Sequence, residues 1–171
     1  MIKKVVLLVS VLIFSISVFA QEISEGQKNL KQFVGFWKLD NADFMFGGQK
    51  VTGVYTFDCS SVCEGTGILA HEKFVSNEMG TLNGENLLGY DPNTEQIHLY
   101  SIDNTGTTHD HYGYWIDKHH LFVQYQGVID GKMYVEQIDM KFSSPSELEL
   151  NLVGMLNGEV ISKAMGTYIK Q

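Results

Sequence analysis

The chain contains no arginine, and all of its positive side chains are lysines. Over 171 residues, 12 lysines oppose 20 acidic residues, which gives a formal net charge of −8. Proteins that bind nucleic acid need a basic surface and commonly contact phosphates through arginine. The composition therefore excludes a nucleic-acid partner, and it disfavours binding to an anionic membrane surface.

No apolar run is long enough for a transmembrane helix. The run at Val5–Phe14 is shorter than the roughly 20 residues that a membrane span requires. It follows Lys3 and Lys4 and precedes Val18-Phe19-Ala20, which is the order of parts in a secretory signal peptide. A membrane anchor is the alternative for this segment. We expect residues 1–20 to be cleaved, the mature chain to have no membrane span, and the protein to be periplasmic or secreted.

The mature chain is expected to be a single domain. Removing residues 1–20 leaves 151 residues with ten lysines, 20 acidic residues and a formal charge of −10. That length supports one domain with a sizeable core. The sequence shows no internal repeat, low-complexity stretch or interdomain linker, so we assign residues 21–171 to one domain.

Cysteine is scarce, and the only two, Cys59 and Cys63, are separated by three residues at a predicted hairpin tip. In an oxidising compartment, the default for such a pair is a structural disulfide. Redox-active pairs have a two-residue spacing at a helix N-terminus, and a metal site would need further ligands nearby. The sequence therefore predicts a Cys59–Cys63 disulfide that pins the turn.

Motifs for nucleophilic or nucleotide chemistry are also missing. Ser60-Ser61 and Ser143-Ser144 lie in predicted turns without a Gly-x-Ser-x-Gly elbow. No glycine-rich loop precedes a helix. The sequence predicts no catalytic residue, no cofactor and no metal ion.

What the chain does contain, from Phe33 onward, is a series of short alternating segments separated by turn signals. The turns are Asp91-Pro92-Asn93-Thr94, Asn104-Thr105-Gly106, Asp130-Gly131 and Asn157-Gly158, whose Gly, Asn and Asp residues tolerate positive φ. The predicted strands are 33–40, 50–59, 63–76, 84–91, 95–103, 106–116, 119–128, 131–142, 147–155 and 159–170. A short helix at 24–32, with Ser24 as N-cap, precedes them. Residues 41–49 are predicted to be a loop at one barrel mouth, either a lid or a plug.

A meander of this length has one obvious way to remove its edge strands, which is to close into a barrel. The sequence therefore predicts an all-β protein, an up-and-down antiparallel β-barrel of about ten strands with one short N-terminal helix. Barrels of eight to ten strands can hold a small ligand.

Pairing across the predicted turns indicates which side chains point into the barrel. A two-residue turn at Asp130-Gly131 places Tyr125 opposite Glu136. Turns at Asp117-Lys118 and Asn104-Thr105 continue the same inner face along the two preceding strands. The predicted lining is Tyr55, Phe57, Leu99, Tyr112, Tyr114, Tyr125, Met140, Leu150 and Met165.

Four polar side chains are predicted to share that interior, namely His71, Asp110, Glu136 and Lys163. A charge inside a barrel is costly unless it is paired or solvated. These residues either orient the polar end of a ligand, or they form a wet rim or an ion pair that fixes strand register. His71 is either a hydrogen-bonding or haem-ligating group in the cavity or a satisfied core histidine.

The other histidines are predicted to lie outside. His98, His109 and His111 cluster on the outer face, and His120 lies there beside Trp115. Three histidines on one sheet face can bind a divalent metal. Surface histidines in an acidic protein are the simpler interpretation, so no metal site is predicted.

Four segments carry a resemblance to a known family. The Gly-x-Trp of Phe33-Val34-Gly35-Phe36-Trp37 resembles the lipocalin and wider calycin signature. An uncharacterised lipocalin-like family of bacterial proteins has segments similar to Leu87-Leu88-Gly89-Tyr90-Asp91, to Ser101-Ile102-Asp103 with Gly106 after it, and to Gly166-Thr167-Tyr168-Ile169-Lys170. The resemblance implies a barrel with an internal pocket, no established activity, and a Trp37 that packs across the closed end. Lipocalins place an arginine over that tryptophan, and here Lys163 or Lys170 would take its place.

The sequence thus predicts an exported protein that binds a small hydrophobic or amphipathic molecule inside a barrel. The negative charge favours a neutral or cationic ligand. One alternative is an enzyme that uses Asp110 and Glu136 for acid–base chemistry. Another is an envelope structural or interaction protein with a solid core.

Overall fold

The computed structural model describes residues 23–171, and the predicted signal peptide lies outside them. The described residues form a closed barrel in which each strand pairs with its neighbours in sequence and the last pairs with the first. The predicted all-β, up-and-down antiparallel barrel is therefore confirmed. Among these residues, no helix has the length and apolarity needed to span a membrane.

Ten strands make up the barrel wall. They are β1 (Gly35–Phe46), β2 (Gln49–Val62), β3 (Gly67–Ser76), β4 (Gly80–Asp91), β5 (Gln96–Asp103), β6 (Thr108–Asp117), β7 (His120–Ile129), β8 (Lys132–Ser144), β9 (Glu147–Leu156) and β10 (Glu159–Lys170). Odd-numbered strands run away from the N-terminal helix and even-numbered strands return to it, so the barrel has a helix-covered end and an opposite, open end.

The helix α1 (Glu25–Leu30) begins at Ser24, as predicted, and continues into a 3₁₀ turn at Lys31–Phe33. A capping box fixes its start: the Ser24 hydroxyl accepts from the Gln27 backbone N–H at 3.3 Å, and the Gln27 side chain accepts from the Ser24 N–H at 2.9 Å. Leu30 is completely buried, so α1 is anchored over one end of the barrel, here called the closed end.

Aromatic side chains fill the closed end beneath α1. The Trp37 side chain is completely buried, and its indole Nε1 donates to the Phe33 carbonyl at 2.6 Å. The rings of Phe33 and Phe142 meet edge to face with centroids 4.8 Å apart. The Lys170 ammonium lies 4.8 Å from the centre of the Trp37 ring, a cation–π contact. Of Lys163 and Lys170, it is therefore Lys170 that lies over the tryptophan ring.

The prediction of a loop at 41–49 is wrong. β1 continues to Phe46 and β2 begins at Gln49, joined by Gly47 and Gly48 with φ of 53° and 81°. A bulge between Leu39 and Ala42 bends β1 and interrupts its alternation. Because of that interruption, the sequence of the second half of β1 does not show the alternation typical of a strand. Phe44 in this half is nevertheless only 2% exposed and lies inside the barrel.

The connection between β2 and β3 lies later in the chain than predicted, and the disulfide is absent. Cys63–Gly65 forms the 3₁₀ turn, whereas Cys59 lies within β2 opposite Ala70. Both cysteines are free thiols, Cys59 buried and Cys63 exposed. Cys59 lines the barrel interior, whereas Cys63 lies in the exposed turn, so the predicted Cys59–Cys63 disulfide is not present.

The same change of register reverses His71. It pairs with Asp58 on the outer face of the barrel, and its Nδ1 lies 2.6 Å from a Glu85 carboxylate oxygen. About half of the side-chain surface of each residue in this ion pair is exposed, at 54%. The prediction that His71 lies in the cavity is therefore wrong.

The hairpin of β7 and β8 has the predicted register. Asp130 and Gly131 form its two-residue turn with φ of 49° and 75°. Tyr125 pairs with Glu136 and Leu121 with Met140, as expected from the sequence. This hairpin places Glu136 inside the barrel.

Strand β6 is turned over relative to the prediction. The turn expected at Asn104-Thr105 is a longer loop between Ile102 and Thr108. It is organised by the Asp103 carboxylate, which accepts from the Thr105 backbone N–H at 2.8 Å and from the Thr107 N–H at 3.2 Å. One residue of register exchanges the two faces of a strand.

A second irregularity, between Trp115 and Asp117, keeps β6 in the reversed orientation against β7. As a result, His111 pairs with Leu99 and faces inward, while Asp110 pairs with Tyr100 and faces outward. The outward side of β6 also carries Tyr112 and Tyr114, which are 40% and 55% exposed.

Strand β10 is reversed for a related reason. The Asn157-Gly158 turn is present as predicted, with Leu156 opposite Glu159. A shift between Val160 and Ser162 then changes the register, so Ala164 pairs with Leu152 and faces inward. Lys163 and Met165 are therefore exposed rather than part of the inner lining.

Candidate functional site

The barrel interior is divided into two compartments. A deep chamber of about 100 Å³ lies towards the closed end, and its walls are almost entirely apolar. A wider vestibule of about 380 Å³ leads from it to the open end. Tyr55, Glu72 and Asn86 line both compartments, so they mark the level at which the vestibule narrows into the chamber.

The first polar cluster in the vestibule consists of His109, His111 and Glu136, here called the His–His–Glu cluster. Glu136 Oε1 lies 2.8 Å from His111 Nε2 and 3.4 Å from His109 Nδ1. One nitrogen or oxygen from each of the three side chains lies within 4.8 Å of the others. The His111 side chain is 2% exposed, and the Glu136 side chain is 12% exposed.

Neighbouring groups hold each member of this cluster in place. The Tyr134 hydroxyl donates to Glu136 Oε2 at 2.6 Å. The Leu99 carbonyl lies 3.3 Å from His111 Nδ1. The His109 ring stacks on Tyr125 with centroids 4.1 Å apart and planes inclined by 15°. The cluster, on β6 and β8, is thus held in position by contacts from β5, β7 and β8.

The electrostatics of the cluster favour an ionised Glu136. Burial acts to raise the pKa of this carboxyl, but hydrogen bonds from His109, His111 and Tyr134 outweigh burial and lower it below its usual range. The Tyr134 pKa is raised by burial and by the adjacent carboxylate, so its hydroxyl remains a donor at neutral pH.

The second polar cluster, Tyr55, Glu72 and Asn86, lies at the entrance to the deep chamber. The Asn86 amide donates to Glu72 Oε2 at 2.7 Å. Burial raises the pKa of Glu72, although hydrogen bonds from Asn86 and Tyr55 oppose the shift. Gly84 pairs with Glu72, and a side chain at position 84 would collide with the carboxylate, with a Cβ only 2.7 Å from Oε1. The glycine thus leaves room for this carboxyl to lie across the sheet.

Of the residues predicted to line the cavity, seven lie in or at these compartments. They are Tyr55, Phe57, Leu99, Tyr125, Glu136, Met140 and Leu150. Lys163 lies at the exposed rim of the vestibule and forms no ion pair with Glu136 in the described part of the chain. His71, Asp110, Tyr112, Tyr114 and Met165 lie on the outer surface.

The histidine prediction is wrong for two residues and right for two. His109 and His111 face inward, contrary to expectation, because β6 is turned over. His98 is exposed on the outer face, 3.7 Å from Asp110. His120 also lies outside, with its Nε2 2.8 Å from Asp139.

Sequence reasoning missed Glu72, Asn86 and Tyr134 as interior polar residues. Tyr134 is two residues before Glu136 on β8 and therefore shares its face. The alternation of side chains along β8 could thus have predicted Tyr134 as an interior residue. Glu72 alternates with Ala70 and Phe74, but the opposite face of β3 carries Leu69 and Val75, so the pattern does not choose between the two faces.

The free thiol of Cys59 lines the deep chamber. Burial raises the pKa of Cys59 to about 12, which keeps it protonated and unreactive at neutral pH. Cys59 therefore acts here as a small apolar wall residue.

The fold and the two clusters define a class, a closed antiparallel β-barrel with an apolar chamber beneath a vestibule that carries the polar clusters. No protein-family profile matches the sequence, and no curated protein matches it either.

Proposed function

We propose that this chain is an exported protein that binds one small amphipathic molecule inside its barrel. The observation that carries the proposal is the two-compartment interior, with an apolar chamber of about 100 Å³ opening into a vestibule of about 380 Å³ whose largely apolar wall carries two polar clusters. Ligand sites commonly enclose roughly 300–1,000 Å³ and combine apolar walls with a few convergent polar groups. The vestibule falls within that range.

The arrangement of the two compartments supports a particular orientation of the ligand. A short apolar end fits the deep chamber, whose surface is lined by rings and aliphatic side chains such as Phe57, Ile68 and Met140. A hydrogen-bonding group then meets Glu72 and Asn86 at the entrance. The bulkier remainder of the molecule occupies the vestibule, beside the His–His–Glu cluster.

The lipocalin-like assignment is part of this proposal. It is supported by the closed barrel, by the buried Trp37 at its helix-covered end, and by Lys170 over the tryptophan ring. Export is proposed from the signal-peptide pattern of residues 1–20. The formal charge of −10 that follows from cleavage favours a neutral or cationic ligand.

Native mass spectrometry of protein purified after export tests the proposal. We expect a species heavier than the bare chain by the mass of one small molecule, which organic solvent releases for identification. A fluorescent apolar probe such as N-phenyl-1-naphthylamine then binds the emptied barrel, and the released molecule displaces it. Bare protein that also fails to bind the probe contradicts the proposal and favours a solid-cored barrel.

An enzyme is the second candidate, because two interior carboxyl groups have pKa values displaced in opposite directions. The Glu72 pKa is raised, chiefly by burial, and the Glu136 pKa is lowered by its hydrogen bonds. Such a divergence is typical of acid and base pairs in active sites. Asp110, the predicted partner of Glu136, lies outside and has no part in it. Incubating the released molecule with emptied protein distinguishes the two functions, since an enzyme converts it and a carrier returns it unchanged.

A further inference from the structure

We propose that His109, His111 and Glu136 bind one divalent transition-metal ion at the wall of the vestibule, with Zn²⁺ as the ion to be tested. The ligand atoms are His109 Nδ1, His111 Nε2 and Glu136 Oε1. This inference does not depend on the organic ligand, because the three side chains are held in place by the barrel alone.

The distances within the cluster suit such an ion. Metal–ligand distances of about 2.0–2.1 Å put the ligand atoms of a tetrahedral site about 3.3 Å apart. Glu136 Oε1 lies 2.8 Å and 3.4 Å from the two histidine nitrogens, and all three ligand atoms lie within 4.8 Å of one another. Rotation of the side chains that brings the three atoms to about 3.3 Å from one another would let one ion contact all of them.

The orientation of His111 is the strongest single argument. Its Nδ1 lies 3.3 Å from the Leu99 carbonyl, an oxygen that only accepts hydrogen bonds. Its Nε2 lies 2.8 Å from Glu136 Oε1, which is a second acceptor, so a neutral ring with its one proton can donate to only one of the two oxygens. A metal ion between Nε2 and the carboxylate would leave the proton on Nδ1 for the Leu99 carbonyl, and both contacts would then be satisfied.

The surrounding groups match the outer shell of known metal sites. Ligating histidines generally donate their second ring nitrogen to a carbonyl or carboxylate, and ligating carboxylates are themselves hydrogen-bonded. Leu99 provides the carbonyl for His111, and Tyr134 provides the donor for Glu136 at 2.6 Å. Tyr134 is accordingly a positioning residue rather than a ligand.

The donor set selects the class of ion. Imidazole nitrogens favour Zn²⁺, Fe²⁺, Ni²⁺ and Cu²⁺, whereas Mg²⁺ and Ca²⁺ prefer shells composed of oxygen. Three protein ligands leave at least one coordination position open. Because all three residues also line the vestibule, that position faces the space where water or a ligand donor can enter.

The test is a titration of chelator-stripped protein with Zn²⁺ against a chromophoric chelator. We expect one Zn²⁺ per chain in the wild type, and at least about 100-fold weaker binding in His111→Asn and Glu136→Gln, since loss of outer-shell partners alone costs 10–100-fold. The matched control is His120→Asn, which removes an outward histidine whose Nε2 lies 2.8 Å from a carboxylate oxygen of Asp139. We expect the His120→Asn protein to bind Zn²⁺ as tightly as the wild type does.

Three results overturn the proposal: no stoichiometric Zn²⁺ in the wild type, unchanged affinity in both cluster variants, or an equal loss in His120→Asn. The first of these means that a proton alone joins His111 to Glu136. Organic-ligand binding, measured separately by mass spectrometry, is unaffected by that outcome, so failure of the metal site and failure of the carrier function remain distinguishable.

Two further measurements do not depend on whether the ligand variants fold. Substituting Co²⁺ in the wild type is expected to give the visible d–d absorption of a site with nitrogen ligands, and a spectrum equal to that of aqueous Co²⁺ contradicts the proposal. Tyr134→Phe leaves all three ligands in place and is expected to bind Zn²⁺ about 10–100-fold more weakly. Unchanged affinity in this variant removes Tyr134 from its positioning role and the outer-shell argument with it.

Discussion

Two buried carboxyl groups in one barrel have net pKa shifts of opposite sign, and the number of hydrogen-bond donors that each one meets explains the difference. Glu136 accepts from two histidines and a tyrosine, and its pKa is lowered although burial opposes this. Glu72 receives hydrogen bonds from Asn86 and Tyr55, which do not offset burial, and its pKa is raised. The two groups therefore change the stability of the protein with pH in opposite senses.

Glu136→Gln is expected to destabilise the protein at neutral pH by about 1–3 kcal/mol, the cost of leaving buried partners imperfectly satisfied. Because the folded-state pKa is lowered, the stabilisation by Glu136 is complete above the unfolded pKa of about 4.3 and declines as the pH falls towards the folded value. Urea unfolding of metal-free wild type and variant at pH 7 and pH 3 measures this. An equal difference in the free energy of unfolding at both pH values contradicts the assignment.

Glu72→Gln is expected to stabilise the protein at pH 7, because burial makes the ionised carboxylate less favourable in the folded than in the unfolded chain, whereas the amide carries no charge. A raised folded-state pKa means that the contribution of Glu72 is complete below about pH 4.3 and is lost as the pH rises through the folded value. The amide retains the oxygen that accepts from Asn86. Glu85→Gln, on the outer face of β4, is the control. The measurement is the thermal unfolding of wild type and both variants at pH 4 and pH 8. A Glu72→Gln protein that is less stable than wild type at pH 8 contradicts the argument.

At the scale of single strands, the hairpin β7–β8 was predictable and strand β6 was not. A two-residue Asp-Gly turn fixes both loop length and register, so Tyr125 and Glu136 were placed correctly. The loop before β6 has a length determined by the Asp103 side chain, which the local pattern does not reveal. Both faces of β6 are rich in rings, with His109 and His111 on one and Tyr112 and Tyr114 on the other. Alternation therefore could not correct the error.

The close approach of β6 and β7 at Gly113 gives a direct test of the observed register. A Cβ at this position would lie 1.9 Å from the Phe122 carbonyl oxygen and 2.6 Å from Val123 Cα. Backbone atoms cannot yield as a flexible side chain does, so Gly113→Ala is expected to cost about 1–3 kcal/mol. Gly89→Ala, also within a strand but with no atom within 4 Å of the added carbon, is the control and is expected to be neutral or slightly stabilising. Equal free energies of unfolding in the two variants contradict the register of β6.

At the scale of the whole molecule, closure of the barrel follows from the number of strands, whereas the interior depends on local irregularities. Shifts near Leu39, Ile116 and Ile161 each exchange the faces of a strand segment, and none has a signal as strong as an Asp-Gly turn. The sequence thus predicted the closed β-barrel and about half of the side chains that line it. It did not predict that His109 and His111 contact Glu136 inside the barrel.

The role of the deep chamber as the apolar end of the ligand site is tested by filling it. Ala70 is 4% exposed and lines this chamber of about 100 Å³, so Ala70→Leu places three further carbon atoms in the empty volume. We expect binding of N-phenyl-1-naphthylamine to weaken at least tenfold, about 1.4 kcal/mol, with stability unchanged or raised because filling a cavity adds packing contacts.

Ala70→Val adds two carbons and is expected to give an intermediate loss of probe affinity. Val75→Leu enlarges an exposed residue on the outer face of the same strand and should bind the probe as wild type does. Because the vestibule and the His–His–Glu cluster are not altered, Zn²⁺ affinity should be equal in all of these variants. Full probe binding by a folded Ala70→Leu protein means that the apolar molecule sits elsewhere, and the vestibule alone is then the ligand site.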